Sequence, residues 1–235
     1  MFIKICGITN DEDALLSVAL GADALGFMFA PSRRQVNADD VRSIVKRLPI
    51  EALTVGVFRD ERPERVVEIV NRTGLHAVQL HGREPLSEVR WIRERVQFVI
   101  HAFAAGDPAL ASAANSPADA IHIDSPNPGS GKVFDWQLAE GVPGGVRWIL
   151  AGGLTPENVG EAIRRLRPWG VDVSTGVEAT PGHKDPRKLR RFIETARAAE
   201  GDLEDRLEEG EPRAAAIDLD EVGGVTRPWD WQLDQ

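Results

Sequence analysis

The feature that most constrains the fold is an alternation of short apolar runs with amphipathic segments, repeated along about the first 200 residues. Helices are predicted between the apolar runs, with a weaker alanine-rich one at 107–114, a short one near 135–140, one at 155–166 capped by Thr155, and a last one from 185 to about 199. Apolar strands separated by helices are typical of a parallel sheet covered by helices. The apolar runs predict strands at 2–6, 22–29, 53–58, 76–80, 97–103, 118–124, 146–151 and 170–174.

Eight strand–helix units can close into a barrel, and about 200 residues is the lower end of the length range for that fold. We therefore expect an α/β protein whose catalytic domain, residues 1–199, is a (β/α)₈ TIM barrel. An open doubly wound sheet is the alternative.

Residues 200–235 break this rhythm and form the predicted C-terminal acidic extension. They carry 12 acidic and 3 basic side chains, and their first charged residues could extend the last helix to about residue 209. Low hydrophobicity and high charge favour a flexible tail. The alternative is a segment that docks Trp229 and Trp231 in a groove of the barrel or on a second subunit.

The charge distribution argues against nucleic-acid binding, because residues 1–199 hold 25 acidic and 25 basic side chains. We also expect no membrane partner and a cytoplasmic location, since the chain opens without a signal-peptide pattern and contains no apolar run of membrane-spanning length. The single cysteine excludes an internal disulfide. The five histidines predict no metal site, because only His76 and His81 lie close in sequence.

Two side chains at strand ends are candidates for acid–base chemistry. Cys6 ends the first predicted strand and Asp124 ends the sixth, so a barrel would place them on roughly opposite sides of one substrate. A carboxyl group near apolar walls can keep its proton and act as an acid, whereas a thiol needs help to act as a base near neutrality. A buried apolar role for Cys6 and a turn or cap role for Asp124 are the structural alternatives.

Glycine-rich turns follow the seventh and eighth strands, where eight-stranded barrels usually bind phosphate. Backbone N–H groups in such turns can hold a dianion without a lysine. A third loop, with Gly129 and Gly131, could close over the same ligand. The phosphate candidates in the two turns are Gly152, Gly153, Ser174, Thr175 and Gly176.

Three further polar residues are candidates for substrate binding. Arg34 follows the second strand and can bind a carboxylate through its guanidinium group. Gln79 and His81 lie around the fourth strand, where they could add polar contacts. A solvated arginine and a structural histidine are the alternatives.

Several motifs, spread in order from residue 3 to about 197, together resemble the phosphoribosylanthranilate isomerase family. They include Lys-Ile-Cys-Gly-Ile-Thr at 4–9, Val-Gln-Leu-His-Gly at 78–82, Gly-Ser-Gly-Lys-Val-Phe-Asp-Trp at 129–136, Ala-Gly-Gly-Leu-Thr-Pro-Glu-Asn-Val at 151–159 and Val-Asp-Val-Ser-Thr-Gly-Val-Glu at 171–178, and they are specific as a set rather than singly.

The resemblance implies an Amadori rearrangement in tryptophan biosynthesis, without metal or cofactor. N-(5-phosphoribosyl)anthranilate becomes 1-(2-carboxyphenylamino)-1-deoxyribulose 5-phosphate. It gives Asp124 the role of general acid at the ribose ring oxygen and Cys6, as thiolate, that of base at C2′. Arg34 would meet the anthranilate carboxylate, and the partner would be this phosphorylated small molecule, bound by a monomer or homodimer.

Two positions depart from the family pattern. His122, where the family usually has an apolar residue, shares the inward face with Asp124 and would either donate to it or fill the barrel as a hydrogen-bonded imidazole. Arg33 precedes Arg34, so either arginine could reach the substrate.

Two other functions remain open from the sequence. One is the sister isomerase of histidine biosynthesis or a dual-substrate enzyme, although that resemblance would lead us to expect aspartate in place of Cys6. The other is a barrel that binds a phosphorylated metabolite without turning it over.

Overall fold

The computed structural model describes residues 1–49, 51–125, 142 and 145–208. Its centre is a closed barrel of eight parallel strands in sequence order, which confirms the predicted fold class. The barrel closes where β1 pairs with β8, with Lys4 opposite Asp172. The strands are β1 (Phe2–Cys6), β2 (Ala24–Met28), β3 (Leu53–Phe58), β4 (Ala77–Leu80), β5 (Phe98–Ala104), β6 (Ala120–Asp124), β7 (Trp148–Leu150) and β8 (Gly170–Val173).

Helices cover the outside of this barrel. Asn10 and Asn37 cap the first two through their side-chain oxygens, as expected for residues that satisfy free N–H groups at a helix start. The α-helices are α1 (Asp11–Ala19), α2 (Ala38–Val45), α3 (Pro63–Thr73), α4 (Leu86–Arg93), α5 (Val159–Leu166) and α6 (Pro186–Glu208).

Two predicted helices differ in the structure. The segment after β5 is a 3₁₀-helix, Pro108–Asn115, in which Leu110 and Ala113 are the buried residues; a spacing of three places them on one face of a 3₁₀-helix. The predicted start of α5 was wrong, because the α-helix begins at Val159 and not directly after Thr155; the Thr155 hydroxyl does accept from the Glu157 amide (3.2 Å), as a cap would. The Asn158 side chain accepts from the Thr155 amide (2.8 Å) and donates to the Gly153 carbonyl (3.0 Å), which holds residues 155–158 as a turn.

The interior of the barrel changes character from one end to the other. The end at which the strands begin is filled by apolar side chains, including Phe2, Val55 and Ile100. Phe2 stacks on Trp169, with ring centroids 4.7 Å apart, and seals this end. Polar residues begin one layer higher, with Lys4 on β1 and Asp172 on β8, and continue to the ends of the strands. Function is therefore confined to the carboxyl-terminal half of the barrel.

A two-stranded hairpin, β9 (Glu178–Thr180) and β10 (His183–Lys184), follows β8 and carries two charged residues back over the barrel mouth. The last helix then runs beyond residue 199 to Glu208, so the division into a barrel and an extension at residue 200 stays a prediction. The predicted helix at 135–140 and the two tail tryptophans lie outside the described residues. Among the described helices, none is long and apolar enough to cross a membrane.

Candidate active site

A cavity of about 200 Å³ lies at the carboxyl ends of the strands. Ten of the twelve residues predicted from the sequence line it, although they come from six parts of the barrel. The other two, Gly129 and Gly131, lie outside the described residues. The predicted residues that line the cavity are Cys6, Arg34, Gln79, His81, Asp124, Gly152, Gly153, Ser174, Thr175 and Gly176.

The thiol of Cys6 is the deepest of the predicted reactive groups, and the residue is only 5% exposed. The absence of a side chain at Gly26 makes room for it, because a Cβ there would lie 2.8 Å from Sγ and 3.1 Å from Nζ of Lys4. Burial raises the pKa of Cys6, and the ammonium groups of Lys4 and Lys184 act in the opposite direction. These cations therefore favour a thiolate that burial disfavours.

Beneath Cys6 lies a group of three buried polar residues, Lys4, His122 and Asp172, which we call the floor cluster. One carboxylate oxygen of Asp172, Oδ2, is 3.0 Å from Lys4 Nζ and 2.8 Å from His122 Nε2. Burial alone would raise the pKa of Asp172, but Lys4 and His122 outweigh burial and lower it. Asp172 is therefore an anion at the base of the cavity, and His122 donates to Asp172 rather than to Asp124.

Asp124 stands at the mouth, and its environment favours the protonated form. Burial raises its pKa, even though Oδ1 accepts a hydrogen bond from the Ser125 amide (2.7 Å). Its other oxygen is 3.5 Å from His81 Nε2. A carboxyl group whose pKa is raised beside a cavity is better suited to act as a general acid than one at its ordinary pKa.

His81 is a neutral neighbour of Asp124. Burial, followed by the nearby His122 and Lys4, lowers the pKa of His81 to about 3. Its Nδ1 lies 2.9 Å from Gln79 Nε2, and an amide nitrogen can only donate, so Nδ1 is the acceptor and Nε2 carries the hydrogen. This arrangement turns an N–H group toward Asp124 Oδ2.

The two glycine turns pack against each other at the mouth. Gly152 and Gly153 have φ angles of +88° and +72°, which favour glycine. A Cβ on Gly176 would overlap the Leu154 carbonyl, so this glycine lets the two turns meet. Thr175 and Gly176 open a short 3₁₀-helix, whose first N–H groups have no acceptor within that helix and can bind an anion.

Arg34 lies at the edge of the cavity within a second charged group, Arg34, Glu178 and Lys184, which we call the rim cluster. Its Nε and Nη2 bind the two oxygens of Glu178 at 2.6 and 2.7 Å, and Nη2 also binds Thr175 Oγ1 at 3.1 Å. Lys184 Nζ donates to the Cys6 carbonyl (2.6 Å). The rim cluster therefore ties Arg34, the second glycine turn and the end of β1 together.

Arg34, rather than Arg33, is the arginine that lines the cavity; Arg33 is exposed. Among the described residues, the structure gives Nη1 of Arg34 no hydrogen-bond partner. That nitrogen remains available to a ligand.

Comparison with known proteins places this site in one family. The family model for N-(5′-phosphoribosyl)anthranilate isomerase matches residues 3–195. The chain belongs to the phosphoribosylanthranilate isomerase family. The curated protein of that name from Desulforudis audaxviator is 50% identical over 204 residues, which cover 84% of this chain and 98% of that protein. The one from Thermotoga maritima is 44% identical over 200 residues, covering 83% and 98%.

Solved structures agree. The phosphoribosyl anthranilate isomerase of Thermus thermophilus matches with a TM-score of 0.80 and 42% identity, over 84% of this chain and 99% of that one. Another family structure, with a TM-score of 0.75, 42% identity and the same coverage, holds reduced 1-(o-carboxyphenylamino)-1-deoxyribulose 5-phosphate. The resemblance found in the motifs is thereby confirmed.

Sequence reasoning missed four charged residues in or beside the cavity: Lys4, Asp172, Glu178 and Lys184. The signal that could have found the first two is a charged residue within an apolar strand. Lys4 shares its strand face with Cys6, and Asp172 lies on the face of β8 that pairs with it.

Proposed function

We propose that this protein converts N-(5-phosphoribosyl)anthranilate to 1-(2-carboxyphenylamino)-1-deoxyribulose 5-phosphate, with Asp124 as acid and Cys6 as base. The observation that carries the proposal is that a chain of this family brings both side chains to one cavity, together with Arg34 and the two glycine turns. The reaction breaks a C–O bond of the ribose ring and moves a proton from C2′, so it requires one acid and one base.

In the first step, Asp124 gives its proton to the ribose ring oxygen. The ring opens, and the nitrogen lone pair of the substrate forms the C1′–N double bond of a Schiff base. Burial raises the pKa of Asp124, which favours the protonated form that this step requires. The N–H group of His81 then faces the carboxylate that remains, at a distance of 3.5 Å in the resting site.

In the second step, the thiolate of Cys6 removes the proton from C2′. The electron pair of the C–H bond forms the C1′–C2′ double bond and neutralises the iminium nitrogen. The resulting enolamine tautomerises to the ketone product. The iminium charge acidifies the C2′ proton, and Lys4 and Lys184 stabilise the thiolate that takes it. Each acid or base of this kind contributes about 10² to 10⁴ in rate.

The remaining predicted residues hold the substrate. The phosphate would lie on the N–H groups of the two glycine turns, and the anthranilate carboxylate on Arg34, which is already oriented by Glu178. Gln79 fixes the orientation of His81. Gly129 and Gly131 remain sequence-based candidates for the phosphate site.

We further propose that the protein acts in the cytoplasm, needs no metal or cofactor, and binds neither nucleic acid nor membrane. Its oligomeric state is a monomer or a homodimer; one related structure is of mutually generated monomers of the dimeric phosphoribosylanthranilate isomerase from Thermotoga maritima.

Turnover of freshly prepared phosphoribosylanthranilate, followed by anthranilate fluorescence, tests the proposal, with the histidine-pathway isomerase substrate in parallel. Activity on the first substrate alone is the expected result. Activity on both would replace it with a dual-substrate enzyme. A folded protein inactive on both would contradict the proposal and favour a barrel that only binds its ligand.

A further inference from the structure

His122 is a buried polar residue that the proposed acid–base steps do not use. It is 1% exposed, lies one layer below the cavity, and does not line it. Its Nε2 is 2.8 Å from Oδ2 of Asp172, and an ionised carboxylate can only accept, so Nε2 carries the hydrogen. Among the described residues, Nδ1 has no hydrogen-bond partner. A buried imidazole with a single partner, which is an anion, is placed to act on that anion.

The Asp172 carboxylate links His122 to the reactive thiol. Its Oδ2 accepts from both His122 and Lys4, and Lys4 also contacts Cys6. The side chains of Lys4 and Cys6 share the space over Gly26. A change at His122 therefore reaches Cys6 through two intervening residues, Asp172 and Lys4.

We propose that His122 is a positioning residue that holds Asp172, and through it the Lys4 ammonium, where Lys4 supports the thiolate of Cys6. Without the imidazole donor, the carboxylate charge of Asp172 is less neutralised, so Asp172 competes more strongly for Lys4 and repels a thiolate more strongly. Loss of His122 then makes the thiolate harder to form. The inference rests on the proposed role of Cys6 as base and names what prepares it for that role.

Charged and titratable groups from several elements face Cys6 and His122. A substitution at His122 changes none of these other residues. Cys6 is faced by Lys4 on its own strand, Arg34 after β2, Asp172 on β8 and Lys184 on β10. His122 is faced by His81 after β4, Asp124 on its own strand, Asp172 on β8 and Lys4 on β1.

Alkylation by iodoacetamide tests the proposal without using the reaction. Cys6 is the only cysteine of the chain, so the mass of the intact protein reports its modification directly. Rates are measured between pH 6 and about pH 10 for the wild type, His122→Leu and His122→Gln. The glutamine amide nitrogen reaches about as far as Nε2 and keeps a donor. His183→Leu, at an exposed histidine of the hairpin, is the matched control.

We expect Cys6 in His122→Leu to be alkylated about threefold to tenfold more slowly at pH 7.5. The curve of rate against pH should move to higher pH by about half to one pH unit. The kcat of His122→Leu falls by a similar factor while KM stays within about twofold of wild type, since His122 does not line the cavity. His122→Gln restores both, and His183→Leu changes neither.

Equal alkylation curves for His122→Leu and the wild type would overturn the proposal, as would equal slowing in His122→Leu and His122→Gln. Should the leucine variant fail to fold, His122→Asn replaces it, because asparagine is polar but too short to reach Asp172. Alkylation is independent of turnover. An unchanged curve in an active enzyme removes only this inference, whereas a shifted curve in an inactive protein removes only the proposed function.

Discussion

The floor cluster and the rim cluster lie on either side of Cys6, and they differ in how completely their polar atoms are paired. In the rim cluster, Arg34 binds both oxygens of Glu178, and Lys184 Nζ lies 3.3 Å from Oε1. In the floor cluster, two donors converge on Oδ2 of Asp172, while its Oδ1 has no partner among the described residues.

This difference separates a carboxylate whose two oxygens are both bonded to protein groups, Glu178, from one that keeps an oxygen unpaired, Asp172. Buried polar atoms are almost always hydrogen-bonded, so an unpaired acceptor beside a cavity calls for an explanation. Asp172 lines the cavity, while its unpaired Oδ1 is itself buried. In the rim cluster, both oxygens of Glu178 are bonded to protein groups, so Glu178 holds Arg34 and Lys184 in place for their roles at the substrate and at Cys6.

The largest effect should follow from Lys4→Met, which leaves Asp172 buried without its cation. Breaking a buried ion pair in this way costs about 3–5 kcal/mol. We expect the free energy of unfolding, measured in urea, to fall by that amount. Lys46→Met, at an exposed lysine, should stay within about 0.5 kcal/mol of wild type. A fall below about 1 kcal/mol in Lys4→Met would show that the floor cluster does not depend on this pair.

A smaller effect is expected from Arg34→Ala, and it should appear in KM. A hydrogen bond to a charged group contributes about 1.5–3 kcal/mol, so steady-state kinetics should show KM raised about tenfold to a hundredfold. The adjacent Arg33→Ala is the matched control and should change KM less than about twofold. If Arg33→Ala raised KM as much as Arg34→Ala, the assignment of Arg34 to the substrate would be wrong.

Gly176→Ala should separate the two glycine turns, because its Cβ would overlap the Leu154 carbonyl. Overpacking of this kind costs about 1–3 kcal/mol, and we expect weaker inhibition by inorganic phosphate together with lower stability. Gly201→Ala, where a Cβ meets open space, should not weaken phosphate inhibition. Unchanged phosphate inhibition in Gly176→Ala would place the phosphate elsewhere.

The smallest effect is a pH dependence of stability. The pKa of Asp172 is lower in the folded state than its usual value of about 3.9, so its stabilisation is fully present above that value and is lost as pH falls toward the folded pKa. Between pH 5 and pH 3 the wild type should lose about 1 kcal/mol more unfolding free energy than Asp172→Asn. Equal losses would mean that Asp172 is not held as an anion by the floor cluster.

The spacing of apolar residues predicted the barrel because the pattern of each strand and each helix lies within a short stretch of sequence. The strands β1 and β3 match their predicted bounds, and Cys6 and Asp124 end their strands as expected. Local patterns could not pair Lys4 with Asp172, which are 168 residues apart and meet only when β1 closes onto β8. The same limit hid the partners of Arg34, since Glu178 is 144 residues away.

The prediction of where α5 starts was wrong for a different reason. Thr155 followed by Pro156 has the pattern of a helix start, and Thr155 Oγ1 accepts from the Glu157 amide, but residues 156–158 form a turn and the α-helix begins only at Val159. The Asn158 side chain links the Thr155 amide to the Gly153 carbonyl within this turn, a contact that the helix-start pattern alone does not predict.

The most direct test of the account is turnover by Cys6→Ala and Asp124→Asn, each compared with the wild type. Glu64→Gln, at an exposed carboxyl group, is the control for loss of a charge. We predict that each active-site variant keeps the circular dichroism spectrum of the wild type and loses at least about two decades of kcat. A folded Cys6→Ala or Asp124→Asn protein with a near wild-type rate would contradict the assignment of base and acid.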